Sequence, residues 1–410
     1  MLSFEQYKSR WGKPTERSKE TGPNNVSLSQ LASKNKLPKL ATNDSVNEVS
    51  YLPSLDGFRG VAILIVLIAH FGLGNYVPGG FGVMLFFFLS GFLITRLLMH
   101  EHAKTSSINL KRFYVRRFIR LYPPLLLMLI IFPAALIMFN HKVYWQELTA
   151  VLFYFENYYL YYFSGGHTVE GFFNIFWSLA VEEHFYIVYP IVFLIFFKKK
   201  NFQNILSLLI LAAFLIRLYY VIRWESPLLT GYDDPSYEPT YMLSHCRFDS
   251  ILFGCLSAVL IKNGNRFYHK LNNNYVVFAL SLAVILITFI LRNDAFRNSL
   301  RYTVQGLALM VIVPSVILYK KYEFLNRFLS SGWLVYIGKI SYSLYVMHWV
   351  GIMLAGNLYP EEPTMYLDML KPWPWYLASF SITLLLTFFS YYIVERKFLA
   401  LRRKFGSLVK

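Results

Sequence analysis

Charged side chains are scarce in this chain: only 15% of its 410 residues are Asp, Glu, Lys or Arg, against about 25% in a soluble domain. That is too little polar surface to cover a water-facing globule. With 56% hydrophobic residues and a mean hydropathy of +0.40, the composition points to a membrane protein. Cysteine is almost missing. The two present, Cys246 and Cys255, are separated by nine positions on one expected helix, so their Cα atoms lie roughly 13 Å apart, beyond disulfide reach. Two cysteines without suitably spaced histidines make no metal pattern, and no metal is expected. An apolar run is also lacking in residues 1–50, which are polar and rich in Ser, Asn and Lys. They hold no cleavable signal peptide and read as a disordered cytoplasmic tail. No internal repeat or pair of Gly-broken half-helices is present, which weighs against a secondary transporter.

What the chain has instead is long apolar segments. A bilayer-spanning helix needs about 20 mostly apolar residues, and ten candidates occur, at 57–74, 80–99, 121–139, 177–197, 203–222, 244–262, 275–291, 302–319, 335–356 and 374–394. A further aromatic stretch, 149–163, is short and carries Glu156. The basic residues decide its treatment. The net charge of +17 is expected to collect in loops kept on the cytoplasmic side rather than to serve nucleic acid. If only the ten longer segments cross and the N-terminus is inside, Arg112, Arg116, Arg117, Arg120, Lys198–Lys200, Lys262, Arg266, Lys320, Lys321 and the basic C-terminal tail, 399–410, all fall inside. Arg292, Arg297 and Arg301 are the exception outside. Letting 149–163 cross would put Lys198–Lys200 outside. The expected fold is therefore an all-α polytopic integral membrane bundle of about ten transmembrane helices, both termini cytoplasmic, with 149–163 at the interface.

Charges within spans cost about 2.5–3.5 kcal/mol each on insertion scales and usually face a protein cavity. In SLDGFRGVAILIVLIAHF, Arg59 and His70 are eleven positions apart. At about 100° per residue they share one face, separated by roughly 16 Å along the axis. A neutral imidazole is suited to take a proton from a hydroxyl near neutral pH, although a hydrogen-bonded structural histidine fits the spacing equally. WSLAVEEHFYIVYP places Glu182 and Glu183 near the start of the fourth span, at a depth close to that of His70. A carboxylate there can orient an imidazole. Arg112, Arg116 and Arg120 recur every fourth residue, with Arg117 adjacent. Such a face can bind phosphates through bidentate contacts or simply anchor the helix. His348 in YIGKISYSLYVMHW, and Arg247 with Asp249 in RFDSILFG, can form structural locks. Ser90 and Gly91 in GVMLFFFLSGFLI are expected to pack helices.

These blocks, in this order and followed by SYYIVERKF at 390–398, resemble the acyltransferase 3 family, membrane O-acyltransferases of bacterial surface polysaccharides and related acceptors. The resemblance runs from about Tyr51 to Phe398 and makes 51–398 the transmembrane domain. It implies a multi-pass protein of a bacterial plasma membrane that transfers an acyl group, acetyl by analogy, from cytoplasmic acyl-CoA to an extracytoplasmic glycan or lipid-linked saccharide. No tightly bound cofactor is implied. The family's arginine and histidine of the first helix fall on Arg59 and His70, its tryptophan-serine-leucine motif and following glutamate on Trp177, Ser178, Leu179 and Glu182, and its loop arginines on Arg116, Arg117 and Arg120. By this resemblance His70 is the general base, Glu182 orients it or stabilises its imidazolium, and the four arginines hold the donor's phosphates. Lys397 stands where the family usually has proline, and the chain stops at Lys410, short of the hydrolase-like domain fused to some members. Two alternatives remain: a transporter or flippase of a lipid-linked glycan, and an acyltransferase acting on a small molecule. Acceptor specificity is expected in 140–176 and 224–243.

Overall fold

The computed structural model describes residues 51–163, 173–223, 239–291, 293–359 and 371–402. The N-terminal tail 1–50, Arg292, residues 403–410 and much of the two expected specificity loops lie outside the described residues. All regular structure among the described residues is helical. In chain order the helices are α1 (Pro53–Ile68), α2 (Gly79–Thr105), α3 (Leu110–Met138), α4 (Trp145–Leu152), α5 (Glu156–Phe163), α6 (Trp177–Phe196), α7 (Phe202–Arg223), α8 (Pro239–Met242), α9 (Ser244–Lys262), α10 (Arg266–Asn272), α11 (Tyr275–Ile290), α12 (Asp294–Asn298), α13 (Leu300–Leu318), α14 (Glu323–Leu329), α15 (Gly332–Leu358), α16 (Trp373–Phe388) and α17 (Arg396–Arg402). Two π-helical turns, Ala69–Leu73 and Phe389–Glu395, extend α1 and α16.

Eight of the described helical segments are long and apolar enough to cross a membrane, or nine if the bent pair α10–α11 is one span. The two expected spans that fall short do so for different reasons. α11 has only 16 residues and meets α10 at 72°. α15 has 27 residues, ample length, but Lys339, His348 and its serines and tyrosines hold its hydropathy down. Those polar groups need not meet lipid, because α15 is buried along most of its length between Ile340 and Met353. The stretch 149–163 forms parts of two eight-residue helices, each only about 12 Å long and too short to cross.

The core is built on helix pairs that approach through glycine. A Cβ at Gly91 on α2 would overlap the Ile251 carbonyl oxygen on α9, and one at Gly254 on α9 would overlap the Phe88 carbonyl oxygen on α2. Gly60 on α1 and Gly338 on α15 do the same against Leu334 and Asp56. Lipid tails are as apolar as the side chains, so close backbone contact of this kind drives helix association in a bilayer. One ion pair locks α7 to α9. Arg217 Nη1 and Nη2 donate to Asp249 Oδ1 and Oδ2, each at 2.7 Å. The guanidinium also donates to the Cys246 carbonyl at 2.6 Å, the Ser299 carbonyl at 3.2 Å and Thr303 Oγ1 at 2.7 Å. All five of its donors are thereby used.

Two stability predictions follow from this packing. Gly91→Val is expected to lower stability by at least about 2 kcal/mol through overpacking, read as a reduced thermal midpoint of the purified protein. Gly332→Ala, with open space around its Cβ position, is expected to leave the midpoint unchanged. Arg217→Met strands the Asp249 carboxylate and is expected to cost about 3–5 kcal/mol, part of which Asp249→Leu in the same chain restores.

Candidate active site

α1 runs regularly to Ile68 and then widens into the π turn that carries His70; Gly72, at φ 96°, lets the chain leave it. π turns of this kind are frequent at functional sites. His70 Nδ1 lies 2.9 Å from His348 Nε2 of α15, and the two rings are parallel within 6°. Trp349 closes on the His70 ring edge-on, with centroids 5.1 Å apart. His348 Nδ1 is 2.6 Å from the Tyr345 carbonyl oxygen. That oxygen can only accept, so the His348 proton sits on Nδ1 and its Nε2 carries the lone pair. His70 Nδ1–H must then be the donor to His348, which leaves His70 Nε2 unprotonated and able to act as a base.

The tryptophan-serine-leucine motif supports this pair from α6. Ser178 Oγ is 2.6 Å from Tyr345 Oη, and both hydroxyls lie within reach of the Ile175 carbonyl, at 3.1 and 2.8 Å. Tyr345 thus ties α6 to α15 through its side chain while its backbone carbonyl fixes His348. Trp177 is buried and packs edge-on against Phe87 of α2, with centroids 6.0 Å apart.

Glu182 does not take the role expected from the sequence. Its Oε1 accepts hydrogen bonds from Ser90 Oγ and Tyr186 Oη, while His70 is paired with His348. The reason is position: Glu182 faces a large cavity whose lining does not include His70. Ser90, expected only to pack helices, supplies one of those hydrogen bonds and lines the same cavity. Glu183 interacts electrostatically with Arg117 and Glu182.

The cavity, about 1170 Å³, lies where α1 begins and α2 ends, and it brings Arg59, Arg116, Arg117 and Arg120 together. Arg96, Lys339 and Arg396 line it too. Its four carboxylates are all engaged. Arg116 bridges Glu101 at 2.9 Å, Tyr51 donates to Asp56 at 2.7 Å, and Ser343 donates to Glu395 at 2.6 Å; Glu182 takes Ser90 and Tyr186. Burial and the Asp56 carboxylate push the Tyr51 phenol up from its ordinary pKa, keeping it a donor. Arg117 lies over the Tyr186 ring, 4.7 Å from its centroid. No ion pair reaches Arg59, Arg117 or Arg120 among the described residues. Seven cationic side chains against four carboxylates leave the cavity electropositive, with guanidinium groups free for an anionic ligand.

Arg247 and Asp249, neighbours in sequence, separate in space. Asp249 pairs with Arg217, and Arg247 sits among aromatic rings, 3.7 Å from the Tyr302 centroid. The residues missed from the sequence had differing visibility. Arg96 and Arg217 each stood alone in an apolar span, a recognised sign of function or pairing. Tyr345 and Trp349 had no such mark, since tyrosine and tryptophan are common throughout the chain.

No solved structure matches the chain. Curated relatives include O-acetyltransferase OatA of Staphylococcus aureus strain NCTC 8325, 29% identical over 369 residues, and the protein of the same name in strain COL, at the same identity. Each alignment covers 84% of this chain and 57% of the relative, so the chain spans less than two thirds of the length of these proteins. The acyltransferase 3 family model, described as an acyltransferase domain, matches residues 52–392. That match takes in most of the residues lining the arginine cavity and both members of the histidine pair, and the chain belongs to the acyltransferase 3 family.

Proposed function

We propose that the chain is a multi-pass membrane O-acetyltransferase that moves an acetyl group from a coenzyme A thioester to a hydroxyl of an extracytoplasmic glycan or lipid-linked saccharide. The observation that carries the reading is the His70–His348–Tyr345 chain of hydrogen bonds, which leaves His70 Nε2 as a free base at the opposite end of α1 from the electropositive cavity. Arg59, Arg116, Arg117 and Arg120 bind the donor's phosphates. The acceptor hydroxyl gives its proton to His70 Nε2 as its oxygen attacks the thioester carbonyl carbon. Collapse of the tetrahedral adduct breaks the carbon–sulfur bond, and the leaving thiolate takes the proton back from His70. His348 acts through His70: it holds the ring and keeps the reactive tautomer.

The likeness to proteins named O-acetyltransferase supports acetyl as the group transferred. The basic residues around the cavity support a cytoplasmic opening in a bacterial plasma membrane, because loops rich in Lys and Arg are retained inside. The acceptor then approaches His70 from the other face.

His70→Ala is expected to lower acetyl transfer by about 10²–10⁴-fold, measured as acetate released by mild base from surface glycan, with the amount of glycan unchanged. Intact acetylation would sink the mechanism, and loss of the glycan itself would favour a transporter. His348→Ala is expected to reduce kcat by about tenfold or more while leaving the KM for acetyl-CoA unaltered, since it touches only the tautomer of the base. For orientation, a cysteine at Lys199, in the turn after α6, is expected to react with an impermeant maleimide only in opened membranes. Both native cysteines are buried and leave little background; labelling of intact cells would reverse the assigned topology.

A further inference from the structure

Arg247 is 1% exposed, and its Nε and Nη1 have no hydrogen-bond partner among the described residues. Its guanidinium lies near four aromatic rings, with centroids at 3.7 Å for Tyr302 of α13, 5.6 Å for Trp177 of α6, 5.7 Å for Phe87 of α2 and 5.8 Å for Tyr241 of α8. The nearby carboxylate, Asp249, is fully occupied by Arg217. Arg301 adds to the positive charge, donating to Tyr302 Oη at 3.0 Å. Ring quadrupoles attract a cation, but they accept none of its N–H bonds. Burying a guanidinium with open donors and no directly paired carboxylate is costly. Such a group is completed by an oxyanion, which a guanidinium binds in a fixed bidentate geometry.

The place of this cage says to which substrate the anion belongs. The arginine cavity is lined by the C-terminal half of α2, from Ser90 to Glu101, and by Glu182 and Tyr186 on α6. The cage uses Phe87 and Trp177, which precede those segments, and Arg247 does not line the cavity. It lies instead toward His70. A Cβ on Gly79 would stand 2.8 Å from that of Ala69, the residue before His70, and one on Gly80 would stand 3.5 Å from Tyr241 Oη in the cage. Two consecutive residues at the start of α2 therefore touch the turn bearing the base and the cage bearing the free cation.

We propose that Arg247 is the anchor for an oxyanion, a carboxylate or a phosphate, carried by the acceptor, so that the saccharide acylated is an acidic one. The inference rests on the proposed transfer to a saccharide hydroxyl at His70 and names the acceptor class. The aromatic faces of Trp177 and Tyr241 flank the anchor as surfaces for the sugar, and Trp177 connects it to the base through Ser178, Tyr345 and His348.

The test uses the purified full chain in lipid nanodiscs, with thermal unfolding as the binding readout. Four sugars are titrated: glucuronic acid against its uncharged amide, and glucose 6-phosphate against glucose. Acetyl-CoA is titrated separately as the donor control. At least one acid is expected to stabilise the protein more than its neutral partner; which one it is distinguishes carboxylate from phosphate. Arg247→Gln is expected to weaken that acid by about ten- to hundredfold, Arg247→Lys to weaken it less, and both to keep the acetyl-CoA shift. Equal stabilisation by acid and neutral sugars in the unaltered chain, which requires no variant to fold, would overturn the assignment. So would an acid preference that survives Arg247→Gln. Absence of any acetyl-CoA shift, with the acid preference intact, would count against the acyl-transfer reading and leave the anion site standing.

Discussion

The hydrogen bond from His348 Nδ1 to the Tyr345 carbonyl, inside a single helix, determines the state of a residue on another one. A carbonyl cannot donate, so that 2.6 Å contact fixes the proton on His348, turns its Nε2 into an acceptor and directs the His70 proton inward. The lone pair left on His70 Nε2 is the only basic site of the pair that is not already spent. Everything around it serves this arrangement. Gly60 and Gly338 bring α1 and α15 close enough for the two rings to meet, and Ser178 clamps Tyr345 from α6. The π turn at Ala69–Leu73 then places His70 where the regular helix ends. A relay of this type does not need a carboxylate, and Glu182 is used elsewhere.

Three settings of arginine show how charge is managed in a bundle with little polar surface. Arg217 is neutralised by Asp249 and has all its donors filled, so it acts as a bolt between α7 and α9. The cavity arginines are gathered beside carboxylates already bonded to other groups, which leaves positive charge facing the cavity. Arg247 has neither a carboxylate nor a cavity wall, only ring faces. The same side chain thus serves as structure, as the proposed donor-phosphate site and as the proposed acceptor anchor, depending on what its five N–H groups meet.

Much of this was legible in the chain. The apolar runs and the positive-inside count made a polytopic helical protein the expected fold, and the ordered blocks from Ser54 to Phe398 pointed to the family. Periodicity predicts Arg59 and His70 on one face; in the structure Arg59 lines the cavity, while His70 lies beyond the regular helix in the π turn and does not. The basic run at Arg116, Arg117 and Arg120 could bind phosphates or simply anchor the helix, and the structure gathers it with Arg96, Lys339 and Arg396 around one cavity. Eight of the ten expected spans meet the length and apolarity needed to cross; α15 is long enough but carries polar groups that it turns toward protein, and α11 is apolar but short.

Local pattern, then, determined the helices, their periodic faces and the residue types available for chemistry, because those depend on neighbours three or four positions away. It could not decide partners. Sequence adjacency suggested Arg247 with Asp249, and equal depth suggested His70 with Glu182. Both pairings were replaced by contacts over long separations, Arg217 with Asp249 and His70 with His348, 278 positions apart. Which polar groups meet in a membrane bundle is set by which helices pack, and that is set by where backbones can approach. Glycine at Gly60, Gly91, Gly254 and Gly338 permits those approaches, but only the assembled bundle says which helix comes to fill them.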